Sequence, residues 1–135
     1  PISFKVVNSG SSPFYYNWPV EVALLDPESH QKVWGKILEG VNISEWMPGD
    51  NWSVDEHKYQ TVPATYHIRK NISIDAPIAK GKYILALTVL DPAGMQPSLR
   101  FANENYFEGG YHPMGYIGID ESVALFLIII ILFIV

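Results

Sequence analysis

Ten glycines and ten prolines cut this 135-residue chain at short intervals, and a helix-rich protein of that length does not tolerate so many breakers. Between them run short stretches with a period of two. Ile2, Phe4 and Val6 alternate with Ser3 and Lys5 before Asn8-Ser9-Gly10 breaks the run. Val20, Val22 and Leu24 share one face of a second strand, with Glu21 on the other, ended by Asp26-Pro27. Residues 31–37 give a third run around Val33 and Trp34, and residues 42–51 read as a loop with Pro48-Gly49-Asp50 as its turn. Further on, Ile68, Ile72 and Ile74 oppose His67, Arg69, Asn71 and Ser73, the pattern of a half-buried antiparallel strand. Gly81 opens a run over 82–90 that is apolar on both faces, which places it centrally. Residues 99–102 and 116–119 complete the set as two short strands.

Seven or so strands with frequent turn signals predict an all-β fold, an antiparallel β-sandwich rather than a barrel or an α/β protein. No repeat of fixed period appears, which removes propellers and solenoids. Gly81-Lys82-Tyr83 has the spacing of a tyrosine corner, which points to an immunoglobulin-like sandwich; an ordinary tyrosine on a strand face is the alternative. The chain has no cysteine, so disulfide scaffolds, zinc fingers and thiol chemistry are excluded. Nine Lys/Arg against fourteen Asp/Glu, a net charge of −5, cannot neutralise a run of phosphates, so nucleic acid is not an expected partner. The expected organisation is one β-sandwich domain over 1–121 and a hydrophobic C-terminal tail over 122–135.

The search for chemistry finds little. His30, His57, His67 and His112 form no His-x-His or His-Glu-x-x-His pattern, and no Gly-x-Ser-x-Gly turn supplies a nucleophile. Asp55-Glu56-His57 reads as a solvated polar loop, with a metal site as the alternative. Asn103, Glu104, Asn105 and Glu108, followed by Gly109-Gly110, supply the hard oxygen donors that calcium prefers on a bent loop, although the spacing is not that of an EF-hand. The same asparagines suit backbone capping. Glycoside hydrolysis would need two carboxylates facing each other across a cleft, and none of the fourteen acids is marked out for that work. The expectation is a protein that is not an enzyme and needs no cofactor beyond a candidate calcium ion.

Aromatic residues are the better lead. Phe14, Tyr15, Tyr16 and Trp18 cluster within five positions, Trp46, Trp52 and Tyr59 fall in the middle of the chain, and Tyr106, Phe107, Tyr111 and Tyr116 surround Gly109-Gly110. Exposed aromatic faces stack on sugar rings through the same contacts that bury them in cores. Two consecutive tyrosines on a strand cannot both point inward, so Tyr15 and Tyr16, with Trp52 and Tyr111, are the candidate carbohydrate platform. Trp18, Trp34 and Trp46 are expected in the core or as sheet-edge cover.

Three Asn-x-Ser sequons, at Asn42, Asn51 and Asn71, fall in a loop or on a polar strand face where a transferase reaches them and a glycan points to water. They predict an extracellular or cell-surface glycoprotein carrying N-linked glycans. Pro1 opens the chain in or near a strand, as expected of a processed or excised segment.

The tail poses the sharper problem. Val123, Ala124, Leu125, Phe126, Leu127, Ile128, Ile129, Ile130, Ile131, Leu132, Phe133, Ile134 and Val135 form one uninterrupted apolar run. As a helix it reaches ~20 Å, short of a ~30 Å hydrocarbon core; as a strand it reaches ~43 Å, and isoleucines favour strands. It is expected to enter a membrane or to be buried against a like subunit, with a cleaved lipid-anchor signal as a further alternative. A sandwich already filled by its own strands is expected to have no room for it.

Several segments taken in order carry a resemblance. They are Val6-Val7-Asn8-Ser9-Gly10, Pro13-Phe14-Tyr15-Tyr16, the strand from Val20, Trp46-Met47-Pro48-Gly49, Gly81-Lys82-Tyr83-Ile84-Leu85-Ala86-Leu87 and Leu99-Arg100-Phe101-Ala102-Asn103. Together they resemble the C-terminal β-sandwich that follows a glycosidase-like barrel in a family of extracellular proteins of unassigned function. The resemblance implies an accessory module whose catalytic partner lies on a barrel this sequence does not contain, so no catalytic residue carries over. The leading expectation is a non-catalytic extracellular module associated with carbohydrate. The alternatives are a structural subunit of an extracellular filament polymerised through the tail, and a fragment of a membrane-anchored glycosidase-like protein.

Overall fold

In the computed structural model, which describes residues 1–122 and 131–134, the chain folds into β1 (Ile2–Asn8), β2 (Val20–Leu25), β3 (Lys32–Ile37), β4 (Asp50–Ser53), β5 (Lys58–Thr61), β6 (Thr65–Lys70), β7 (Gly81–Asp91), β8 (Gln96–Pro97), β9 (His112–Ile119) and β10 (Ile131–Ile134). A 3-10 turn, Ile43–Glu45, lies between β3 and β4. The protein is all-β. One sheet runs β10-β1-β6; the other runs β3-β2-β7, with β8 and β9 both pairing with β7; β4 and β5 form a separate hairpin. Among the described residues every strand pairing but one is antiparallel, and the exception is β10 beside β1.

The two large sheets share one core, as in a β-sandwich. Phe4 and Val6 of β1 share this core with Val20, Val22 and Leu24 of β2 and Leu87 and Val89 of β7, together with Trp34, Trp46, Ile43 and Phe101. Withdrawing each such side chain from water contributes about 1.5–3 kcal/mol, which is what the period-two runs deliver. Near the start of the central strand the Tyr83 hydroxyl donates to the Ala79 carbonyl at 2.9 Å.

The β2–β7 sheet is buried on its outer face as well. Ala23, Leu25, Ile84 and Ala86 form a second cluster, covered by Phe107 and Tyr111. All six residues of β2 are therefore buried. The cover is the 99–111 segment, in which a strand was expected over 99–102. That stretch forms none, because its one fully buried side chain, Phe101, drops into the first core while the chain beyond it crosses the sheet.

Two other boundaries differ from the sequence reading. The strand predicted to continue through Ile74 ends at Lys70, opposite the start of its antiparallel partner β1, at the Ile2–Lys70 pair. Beyond it the chain crosses to β3, where Asp75 accepts hydrogen bonds from Trp34 Nε1 at 3.2 Å and Lys36 Nζ at 2.8 Å. The middle loop ends in the β4–β5 hairpin, which places Asp55-Glu56-His57 at its tip.

Part of the tail lies where no room was expected. Lys5 pairs with Ile131, Val6 with Leu132, Val7 with Phe133 and Asn8 with Ile134, in parallel. The physical reason is the open edge of β1. With only β6 on one side, β1 leaves a row of N–H and C=O groups that a strand-forming apolar segment satisfies without needing space between the sheets. Sheet growth at an edge, rather than insertion into the core, resolves the packing objection. Residues 123–130 and 135, on which the membrane and inter-subunit expectations also rest, lie outside the described residues.

Candidate functional site

The connection between β1 and β2 is held in shape from beneath. Asn8, the last residue of β1, is fully buried. Its Nδ2 donates to the carbonyls of Ser12 at 3.1 Å and Trp46 at 2.8 Å, and its Oδ1 accepts the Gly10 N–H at 3.0 Å. Tyr59 Oη donates to the Ser11 carbonyl at 3.0 Å from the β4–β5 hairpin. The loop is thus held by side chains of two elements, and Ser11 and Ser12 are exposed.

From this clamp the chain passes Pro13 and makes a turn closed by the Trp18 N–H on the Tyr16 carbonyl, 3.1 Å. Phe14 and Trp18 pack inward on the core; Tyr15 and Tyr16 face outward, 80 % and 75 % exposed. Neither tyrosine lies on a strand, so the period-two argument that put one of them outside understates the case. The two tyrosines, with Phe14, Trp18, Ser98 and Leu99, line a cleft of about 450 Å³ whose floor is Asn8 and the 10–13 loop.

A second cleft, of about 560 Å³, shares Gly10 and Ser11 of the same loop with the first. Trp52 and Tyr59 line it. They face each other across the hairpin and meet edge to face, ring centres 4.9 Å apart. Trp52 stays 45 % exposed. Gly49 makes this packing possible: at φ +140° its Cα abuts the Tyr59 ring and the Thr61 carbonyl, where a side chain would collide. Lys58 and His57 also line the cleft. Lys58 Nζ pairs with Glu56 at 2.8 Å, and with Gln60 this holds the Glu56 carboxyl below its usual range.

The fourth proposed platform residue, Tyr111, is not at this edge. It packs half-buried on the outer face of the β2–β7 sheet, its hydroxyl 3.5 Å from Glu21 Oε2. Burial, then the Glu21 charge, raises its pKa. Glu21 is 6 % exposed and pairs with Lys32 Nζ at 3.0 Å. Its carboxylate occupies the place a side chain on Gly35 would take. Burial works against the Lys32 ammonium, but Glu21 beside it raises the pKa overall. Tyr111 is a cover residue.

The candidate calcium ligands sit in that cover. Glu104, Asn105 and Glu108 are exposed and Asn103 half-buried, and the Asn105 carbonyl is engaged with His112 Nδ1 at 3.0 Å. Among the described residues no three His, Asp or Glu side chains converge as a metal site, at Asp55-Glu56-His57 or elsewhere. Of the sequons, Asn51 and Asn71 are exposed and Asn42 half-buried. Asn42 caps the 3-10 turn, accepting from the Ser44 N–H at 3.1 Å and the Ser44 hydroxyl at 2.6 Å, while its Nδ2 donates to Glu45.

Tyr59 was among the aromatic leads, whereas residues 9–12, 48, 61–63, 98 and 99 also line the clefts and were not among the candidate binding residues. Asn8-Ser9-Gly10-Ser11-Ser12 announces a turn in the sequence, but the contact of that turn with Tyr59, forty-eight positions on, has no local signal. No helix among the described residues is long and apolar enough to cross a membrane. Comparison with protein-family models, curated proteins and solved structures gives no match.

Proposed function

We propose that this protein is a non-catalytic, extracellular, carbohydrate-associated module built on an immunoglobulin-like sandwich. The observation that carries the reading is the placement of Tyr15, Tyr16 and Trp52, all exposed, on two clefts that meet at Gly10 and Ser11. Large aromatic faces held outward on a clamped loop suit stacking on sugar rings, and neighbouring serine hydroxyls suit hydrogen bonds to their edges. The immunoglobulin-like assignment draws on strand order. The β3-β2-β7-β9 arrangement corresponds to strands C′, C, F and G, the β1–β6 pair to B and E, and Tyr83 marks the E–F corner. The parallel β10 stands where that fold places an antiparallel first strand.

Exposed Asn51 and Asn71 and the turn-capping Asn42 are the proposed glycan carriers, tested by intact mass before and after amidase treatment. The binding reading is tested by applying the labelled full chain to an array of oligosaccharides: retention on a subset is expected, and an array that stays blank removes the reading. A second reading, a filament subunit joined through the C-terminal segment, draws on the β10–β1 pairing. The same hydrogen bonds form whether β10 comes from its own chain or from a neighbouring copy.

A further inference from the structure

Resting on the carbohydrate reading, we infer that the two clefts act as one groove for an uncharged oligosaccharide chain, with ring-binding positions on either side of Gly10-Ser11. The two clefts are adjacent, with Gly10 and Ser11 lining both, and the shared loop is held by hydrogen bonds from Asn8 and Tyr59. A loop fixed before binding loses little freedom on binding. Each cleft offers its own aromatic face, Tyr15 with Tyr16 on one side and Trp52 on the other. At 45–80 % exposure these faces are open platforms, suited to successive rings of a chain passing over them rather than to enclosing a single sugar.

Charge decides the class of chain. The protein carries a net charge of −5, which repels polyanions at long range. Among the described residues the first cleft is lined by no Asp, Glu, Lys, Arg or His. In the second, the Lys58 ammonium is matched by Glu56 at 2.8 Å, which leaves the exposed His57 as its other basic side chain. Among the described residues no carboxylate lines either cleft to grip a cationic sugar. Aromatic faces with the exposed hydroxyls of Ser11 and Ser12 between them match a neutral hexose polymer.

Titration calorimetry on the full chain tests this with cellohexaose, maltohexaose and mannohexaose, hexagalacturonate, and the free hexoses. At least one neutral hexasaccharide should bind at least tenfold more tightly than its own monosaccharide and than hexagalacturonate. Tyr15→Ala and Trp52→Ala should each weaken it roughly three- to tenfold, with far-UV circular dichroism showing the sheets retained in both, since Trp52 packs on Tyr59 of its own hairpin and Tyr15 is 80 % exposed. Binding of an oligosaccharide that neither variant weakens, or that only one weakens, overturns the joined groove while the carbohydrate reading stands. Preference for hexagalacturonate overturns the neutral class. No binding by any of these sugars, together with a blank array, overturns the groove and the reading beneath it.

Discussion

Phe101 and Asn105 reach the His112 ring from opposite sides. The Phe101 N–H donates to Nε2 at 3.2 Å and the Asn105 carbonyl stands 3.0 Å from Nδ1, so the neutral ring with its proton on Nδ1 satisfies both. A second proton would leave the Phe101 N–H facing another N–H in a buried site. Burial, helped by the Arg100 charge and opposed by the Asn105 carbonyl, lowers the His112 pKa below its ordinary value. The unfolded chain therefore takes up this proton at about pH 6.5, before the folded chain does. The contribution to stability is complete above that pH and is lost as pH falls through it toward the lowered value. Urea midpoints measured between about pH 8 and pH 5 should decline for the wild type and decline less for His112→Gln. Tyr83 offers a simpler test. Tyr83→Phe keeps the buried ring but loses the bond to Ala79, and should cost about 0.5–1.5 kcal/mol by the same urea assay.

Elements were legible in proportion to how local their causes are. The alternation of Ile2, Phe4 and Val6 and the doubly apolar run after Gly81 marked β1 and β7 correctly, because burial of alternate residues writes itself into adjacent positions. The β4–β5 hairpin was missed: its strands are short and mostly exposed, so no apolar alternation betrays them. The role of 99–111 was hidden for another reason. Its apolar residues divide between two cores, Phe101 to one and Phe107 and Tyr111 to the other, and no single period describes that path. At the site, an outward position for at least one of Tyr15 and Tyr16 was readable, whereas the separation of Tyr111 from them depends on this crossing. The cover is pinned where Thr88 Oγ1 donates to the Gly110 carbonyl at 2.8 Å. Gly110 sits at φ +96° with Pro97 against its Cα. Gly110→Ala should cost about 1–3 kcal/mol and speed proteolysis within 103–109, while β7 amides keep the slowest hydrogen exchange of the molecule.

At the scale of the whole molecule, the β10–β1 pairing makes the hydrophobic run part of the domain's own sheet over 131–134. Deleting 123–135 should therefore lower the urea midpoint by uncovering the β1 edge, and light scattering should find the truncated chain more self-associating than the full one. A truncated chain that is equally stable, and monomeric where the full chain is polymeric, would instead place β10 on a neighbouring copy, as the filament reading requires. Both outcomes turn on one edge of one strand.

That edge also sets a timetable. Lys5 and Ile131 stand 126 positions apart along the chain, whereas β2 and β7 complete their hydrogen bonds by Val89. During synthesis at about 5–20 residues per second, β1 waits several seconds for its parallel neighbour after the central strands have emerged. A nascent chain on an adjacent ribosome has that interval to supply the missing strand first, so crowding on one message should favour exchanged pairs over self-contained copies.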